Sequence, residues 1–533
     1  MDADLRSIQQ ARDLLQAAAD AQHRFKAVDQ EAVDRVVAAM CEAGAEEAER
    51  LGRLAHEETG FGRPESKTQK NLFATRTLHE RMRGMKTAGI VHKSADGSVW
   101  EVATPMGVVA ALIPSTNPTS TAMYKAIIAA KARCGVVMSP HPRAVACTAE
   151  ALRVVAEAAT RAGAPEGLFG CLTEVTLPGT DALLEDERTD VILATGGTAM
   201  VRAAYSKGKP AYGVGSGNVP VWVDRSADVA KAAADVIAGA SFDWGTLCST
   251  ERSVVADAPV RARLLEEMRR QGAHVCTPEE AEKLRAVVTT GRGLNVEIVG
   301  QSPARIAGMA GFAVPDGTLA LVAEVEAVGR EEPLSMETLS PILSFYTADG
   351  WEAGCARCIE VLEYGGIGHT LALHAKSERV VEQFALRKPS MRIVVNTVAA
   401  LGSVGMTTAL FPAMTLGPGT LGGSIISDNV SPLHLLNVKR VAFETSPLRA
   451  ERPAPARGRP TAGPGPRPAG EGRWMDVVEA RLRERAGNAP QSTRPEAPAA
   501  AAPEAPPSRS AAASGLPLPE AEIEGLVRRF RRR

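Results

Sequence analysis

An α/β fold of two doubly wound parallel-sheet lobes is predicted by three observations: apolar runs that alternate with amphipathic stretches, a chain too long for one core, and few aromatic residues. The runs GVVAALIP, GVVMSP, GLFGCL, VILAT and VPVWVD are spaced by helical patterns such as TSTAMYKAIIAAKARC and AVACTAEALRVVAEAATRAG. Strand and helix alternating in this way build a parallel sheet with helices on its faces. At 533 residues two or three lobes are expected, because a single hydrophobic core stops growing well before that length. Aromatics are only 4% of the chain, so the layers must close-pack on Ala, Val, Leu and Ile.

In chain order, residues 1–90 read as a helical lead-in. Leu5, Ile8, Leu14 and Leu15 recur at helical intervals, and Val33, Val36, Val37 and Met40 repeat the spacing. The first lobe is expected to span 1–243, with part of 420–445 returning to it and a helix over Met200 to Ser206. A second lobe, 244–419, carries the candidate strands RSVVAD, ALVAEV, PILSFY, TLALH and RIVVN. After Glu444 the composition breaks into Pro, Ala and Gly with little to bury, so 446–518 reads as a flexible, disordered linker. Two helical patches interrupt and follow it, WMDVVEARLRERA (474–486) and PEAEIEGLVRRFRRR (519–533).

Charge excludes some partners. Sixty-one basic residues against sixty-two acidic ones give a net of −1, so no whole-protein field draws the chain to nucleic acid or membrane. The N-terminus has no basic region leading an apolar one, and no apolar run approaches the roughly 18 residues of a spanning helix. A cytoplasmic protein is expected. Eight cysteines in so long a chain are too sparse for a disulfide framework, so each is expected to be free, and one to be reactive.

The segment SFDWGTLCSTERSVV puts Cys248 in a Gly/Thr/Ser-rich connection between helix and strand, where a loop on a rigid scaffold can offer a thiolate to a cleft. An inert buried cysteine is the competing reading. The run GVVAALIPSTNPTS ends a strand just ahead of a helix, at the sheet edge where ligands bind in doubly wound folds. Asn117 there is either an oxyanion donor or a plain turn residue before Pro118. VILATGGTAM is strand, Gly-Gly, helix, a geometry that lets backbone amides approach a dinucleotide, and YGVGSGNVP is a second Gly-rich turn. Cys355, Cys358, His369 and His374 fall near a zinc-finger spacing, but they sit in a helix and a strand of the second lobe, so no metal is expected there.

Taken in order, IPSTNPTSTAMYKA, MSPHPRA, ATGGTAMVRAAYSKGKPAYGVGSGNVP, FDWGTLCSTERSVV, METLSPIL, GIGHTLALH, RIVVNT and PAMTLGPGTLGGSIISDNVSPLHLLNVKRVA resemble the CoA-acylating aldehyde dehydrogenases. The likeness is strongest to those packaged in bacterial microcompartments for ethanolamine, diol or glycyl-radical metabolism, and it covers about residues 1–445. It implies the aldehyde dehydrogenase fold, with a small β-ribbon (98–105 and 437–444) that builds a homodimer or homotetramer. It implies Cys248 as nucleophile, and Asn117 with the Cys248 amide as oxyanion hole. His369 matches a position retained in the group, its role open between catalysis and a loop histidine satisfied by backbone.

The resemblance also implies the cofactor contacts. Ile113, Pro114, Ser115, Thr116 and His141 serve one side; Thr195, Gly196, Gly197 and Thr198 line the Gly-Gly turn. Gly213, Val214 and Gly215 belong to the second turn, Glu337 holds the nicotinamide ribose, and Leu339 is a further cofactor contact. The cofactor is expected to be NAD, with NADP left open because Arg143 beside His141 could accept a 2′-phosphate.

Thiolate attack on an aldehyde gives a thiohemiacetal, and hydride loss leaves a thioester. Hydrolytic relatives carry a glutamate base in the turn that here reads YGVGSGN, and neither Gly213 nor Val214 can activate water. Coenzyme A is therefore the expected acceptor, with acetaldehyde or propionaldehyde as substrate. A hydrolytic dehydrogenase and an inactive shell-associated scaffold are the alternatives. One departure is Pro418, in TLGPG, where relatives commonly carry a second cysteine. In the last patch Ile523, Leu526, Val527 and Phe530 form one apolar stripe, and the patch resembles encapsulation peptides that dock cargo onto microcompartment shell proteins. A membrane-surface helix, an RNA-binding basic tail and a functionless tail are the rival readings.

Overall fold

The structure, a computed structural model, describes residues 2–291 and 293–446. The linker from 447 onward, the helix expected at 474–486 and the amphipathic patch at 519–533 lie outside the described residues. The lead-in folds as expected into helices Ala3–Phe25, Gln30–Glu46, Ala48–Thr59 and Pro64–Leu72. Each boundary has a local cause: Asp29 accepts from the Ala32 amide at 2.9 Å, Gly60 closes its helix at φ 70°, and Pro64 starts the next. Ala11, Leu15 and Ala18 of the first helix pack with Val108, Ala110 and Leu112, and Val33, Val36, Val37 and Met40 of the second bury their stripe beside Met123 and Ile127.

The strands are β1 (Gly89–Lys93), β2 (Val99–Pro105), β3 (Val108–Ile113), β4 (Gly135–Pro140), β5 (Phe169–Cys171), β6 (Val191–Thr195) and β7 (Ala211–Val214). They continue with β8 (Val219–Val223), β9 (Glu251–Asp257), β10 (Ala273–Val275), β11 (Thr289–Thr290), β12 (Gly293–Leu294), β13 (Ala320–Glu324), β14 (Ile342–Ala348), β15 (Gly368–His374), β16 (Ser390–Val395) and β17 (Leu436–Ala442). A five-stranded sheet runs β5-β4-β3-β6-β7 and a seven-stranded sheet runs β10-β13-β14-β9-β8-β15-β16. All pairings within both are parallel. Their strands are continuous apolar runs because helices cover both faces; VVAALI of β3 is buried at every position.

The order of the five-stranded sheet reverses between β3 and β6, which opens a crevice at their carboxyl ends. Lys125, fully buried on the helix Pro118–Lys131, donates to the carbonyls of Leu112 at 2.7 Å and Leu193 at 2.8 Å and so ties β3 to β6 beside that crevice. Burial pushes its ammonium well below the usual lysine range.

One expectation about organisation is corrected. VPVWVD was read with the first lobe and the lobes were divided at 243/244, yet β8 hydrogen-bonds to β9 and β15 in the seven-stranded sheet, so the sheets change over between Val214 and Val219. The reason is physical: an apolar parallel strand looks the same in either sheet. The helix after VILAT also begins earlier than expected, at Thr198.

The ribbon segments pair as β1-β2-β17, antiparallel throughout, with β1 as a strand the sequence reading had not placed. Arg133 anchors the ribbon by donating to the Ala103 carbonyl at 2.8 Å; β17 exposes Val438 and Val441, and Phe443 just beyond it is exposed as well. No described helix is long and apolar enough to cross a membrane.

The second core is organised around Trp222 of β8, which is fully buried and stacked on Phe384 at 6.0 Å. Gly354 makes room for it, since a Cβ there would lie 2.1 Å from the indole ring. Trp222→Ala is expected to destabilise the fold by about 3–5 kcal/mol, seen as a lower urea midpoint by circular dichroism.

Candidate active site

Two sheets present opposite ends to one cleft of about 470 Å³. The five-stranded sheet contributes the segments after its strands: Pro114, Ser115, Thr116 and Asn117 after β3, and His141 after β4. Thr195, Gly196 and Gly197 close β6, and Val214 and Gly215 close β7. The seven-stranded sheet contributes the segments before its strands: Cys248 ahead of β9, and Glu337 and Leu339 ahead of β14. Most of the residues singled out from the sequence therefore meet in one cavity, although Cys248 and Asn117 are separated by a whole sheet in the chain.

Four of them do not line it. Ile113 is buried at the end of β3, and Thr198 is the first residue of its helix. Gly213 serves packing, because a Cβ there would meet Val201 at 2.5 Å and Tyr205 at 2.8 Å. His369 is buried behind Gly217, with Nδ1 3.0 Å from the Thr370 hydroxyl and Nε2 without a partner among the described residues. Burial and the nearby Arg392 push its pKa down to about 3, so the ring is neutral.

Cys248 follows a strained turn in which Asp243 and Trp244 both sit at φ 49°. Burial is the main influence on the thiol, raised further by the Glu337 carboxylate and lowered by Arg392 and by the amides of Cys248 and Ser249; the result is a pKa pushed up to about 12. Glu337 accepts from the Gly217 amide at 3.0 Å, and burial pushes its carboxyl up to about 7 despite Arg252. Gly217 must be glycine, since a Cβ would fall 2.2 Å from the Cys248 carbonyl oxygen. Asn117 caps the helix Pro118–Lys131, and its Nδ2 donates to Thr116 Oγ1 at 3.1 Å and the Thr246 carbonyl at 3.3 Å.

The Gly-Gly turn suits a dinucleotide. Gly197 precedes the helix Thr198–Tyr205, and the space where its Cβ would stand is open, so backbone amides face an uncrowded region. Val214, the last residue of β7, lines the cleft, and the segment 213–218 has no acidic residue of its own; the carboxylate that meets it is that of Glu337, at the Gly217 amide.

Several contributors escaped the sequence reading. Ser216, Thr246, Val404, Met414 and Leu416 also line the cleft. Arg392, donating to the Ser427 carbonyl at 3.0 Å and the Gly417 carbonyl at 2.5 Å, supplies positive charge near Cys248, while Arg143, which the sequence had singled out beside His141, lines the cleft as well. Cys355 and Cys358 pack into the core around Trp222. Among the described residues the ligand-type trio with atoms within 4.8 Å is His274, Cys276 and Glu280, and Glu280 is there engaged by the Thr277 amide at 2.9 Å and His274 at 2.8 Å.

Comparison with known proteins gives a consistent picture. The model of the aldehyde dehydrogenase family matches residues 3–285. The aldehyde-alcohol dehydrogenase of Clostridium acetobutylicum is 37% identical over 441 residues, which are 82% of this chain and 51% of that protein, so the chain spans about half the length of that relative. The crystal structure of an acetylating aldehyde dehydrogenase from Geobacillus thermoglucosidasius is 47% identical, with a TM-score of 0.83 over 84% of this chain and 99% of that one. A propionaldehyde dehydrogenase from the Clostridium phytofermentans fucose utilisation bacterial microcompartment is 28% identical, with a TM-score of 0.75 over 83% of this chain and 98% of that one. A Rhodopseudomonas palustris propionaldehyde dehydrogenase with bound CoA and an acylated cysteine is 27% identical, with a TM-score of 0.73 over 81% and 97%.

The thiol's environment makes alkylation a direct readout. With its pKa near 12, the thiolate fraction of Cys248 is expected to climb about tenfold per pH unit between pH 8 and 10, and iodoacetamide labelling of its peptide with it. Glu337 is anionic in that range, so Glu337→Gln is expected to speed labelling at every pH there, as read by mass spectrometry.

Proposed function

This chain belongs to the aldehyde dehydrogenase family, and on that premise we propose that it oxidises a short-chain aldehyde, acetaldehyde or propionaldehyde, and transfers the acyl group from Cys248 to coenzyme A. The observation that carries the proposal is the pairing of a cleft thiol with a carboxylate-free turn at 213–218. Cys248 shares the cavity with Asn117, and Val214 lines it where a water-activating glutamate would be needed. The CoA-bound, acylated relative from Rhodopseudomonas palustris and the acetylating one from Geobacillus support the same reading.

In this mechanism Cys248 attacks the aldehyde carbon, and the oxyanion is received by Asn117 Nδ2 and the Cys248 amide. A bound nicotinamide supplies the hydride acceptor that leaves a thioester on Cys248. Glu337, fixed by Gly217, and Leu339 would hold the ribose side of a bound dinucleotide, and the amides of the 196–198 turn would receive its pyrophosphate. The apolar wall of Val214, Val404 and Met414 keeps water from the thioester until the CoA thiol arrives. His369, buried beside Gly217 and outside the lining of the cleft, is given no step in this mechanism.

The ribbon β1-β2-β17, with its exposed apolar residues, is assigned to assembly of a homodimer or homotetramer. Packaging in a bacterial microcompartment, with 519–533 docking on shell proteins, rests on the sequence of that patch and on the microcompartment relative.

A hydrolytic reading has one observation in its favour: Glu337 is a carboxylate in the same cleft with a pKa of about 7, and would be the base for water. One assay separates the two. Acetaldehyde-dependent NADH formation is expected to require CoA and to vanish in Cys248→Ala; CoA-independent production of free acid that Glu337→Gln removes would establish hydrolysis instead. Removing 446–533 is expected to leave turnover unchanged while ending co-purification with shells, and shell association that persists would refute the docking role.

A further inference from the structure

Behind Asn117 lies a group of charges that the mechanism above does not use. Lys67 and Lys70, one turn apart on the helix Pro64–Leu72, and Asp243 of the strained turn are all buried. Asp243 Oδ1 accepts from the Arg63 amide at 2.6 Å; Oδ2 accepts from Thr246 Oγ1 at 2.6 Å, from Lys67 at 3.2 Å and from Lys70. Lys67 also donates to the Thr116 carbonyl at 3.2 Å. Lys70 reaches further, to Asn117 Oδ1 at 2.5 Å.

The last contact settles an orientation. A side-chain amide can be turned either way, but an ammonium has only hydrogens to offer, so the atom facing Lys70 must be the oxygen. The NH2 group of Asn117 is thereby forced to the opposite side, toward the Thr246 carbonyl and the segment that carries Cys248. At neutral pH, below the value of about 8 to which burial lowers Lys70, the cluster also holds two cations against one anion. Its surplus positive charge lies out of water, where Coulomb interactions are strong.

We propose that Lys70 is a positioning residue for the oxidation of the aldehyde: it locks Asn117 with Nδ2 toward the oxyanion and sets an uncompensated positive charge behind it. Asp243 and Lys67 hold Lys70 in place. The proposal rests on the acylating reading of Cys248 and Asn117.

The test is steady-state kinetics of the full chain with acetaldehyde, NAD+ and CoA for wild type, Lys70→Met, Lys70→Gln, Asn117→Ala and the Lys70→Met/Asn117→Ala pair. Asn117→Ala is expected to lower kcat about 100-fold or more, as loss of an oxyanion donor does. Lys70→Met is expected to lower kcat about tenfold with the KM for NAD+ and CoA within about threefold of wild type, and the double variant to match Asn117→Ala alone. Lys70→Gln keeps a donor without the charge and is expected to lose less than Lys70→Met. Where Lys70→Met fails to fold, Lys70→Gln with and without Asn117→Ala reads the same non-additivity. Fully multiplicative losses, equal losses for Gln and Met, or a wild-type kcat in Lys70→Met from an enzyme that makes acyl-CoA would overturn the role of Lys70 alone. A wild type with no CoA-dependent turnover overturns the acylating reading first, and the role of Lys70 with it.

Discussion

The carboxylate of Asp243, wholly out of water, is the constraint on which the site's geometry depends. Its partners come from the lead-in helix, from the residue before that helix and from its own turn, so one side chain joins segments some 170–180 positions apart in sequence. The turn itself is costly backbone, with left-handed conformations at Asp243, Trp244 and Gly245 in succession. Nearby, Gly62 has no Cβ because one would stand 2.0 Å from Asp243 Oδ1. Leaving such a charge without its cations costs about 3–5 kcal/mol, a large share of a typical domain's stability. Strain in the turn that leads to Cys248 is thus sustained by an ionic cluster on its far side.

The cleft and its immediate surroundings disfavour charge. Burial raises the Cys248 thiol to about 12 and the Glu337 carboxyl to about 7, and it holds His369 near 3, so each group is driven toward its uncharged form. A thiol kept protonated is a poor target for oxidants and for adventitious electrophiles. The arrangement of the two sheets makes this enclosure: carboxyl ends of one and amino ends of the other supply loops from both sides, and the helix N-terminus at Gly197 stands open among them.

What could be read from the sequence follows the range of each interaction. Continuous runs such as VVAALI and SVVAD announced β3 and β9 because a parallel strand covered on both faces must be apolar along its length. Which sheet β8 joins could not be read, since pairing is a long-range choice that VPVWV does not encode. Asn117, the Gly-Gly turn and Cys248 were legible as local strand-to-helix and loop chemistry. Gly213 was legible as a glycine but its reason was not, because Val201 and Tyr205 exclude a side chain only once the helix folds back. Lys67 and Lys70 look like the solvated face of a short polar helix; nothing nearby in sequence shows that Asp243 will bury them. Arg392, inside RIVVN, likewise reads as a strand residue until the Gly417 and Ser427 carbonyls close on it.

Lys125 carries a consequence for the molecule's proton inventory. In the unfolded chain its amine would be charged at neutral pH; in the fold it is held far below its ordinary range while bridging β3 and β6. Burial therefore makes the folded chain hold that proton less tightly than the unfolded chain does. The unfolded state binds more protons at this site at every pH between the depressed native value and the ordinary lysine value, so its contribution to stability rises with pH across that interval and falls as acid is added. The crevice between β3 and β6 is, in this sense, bridged by a lysine whose hold on its proton the fold has weakened.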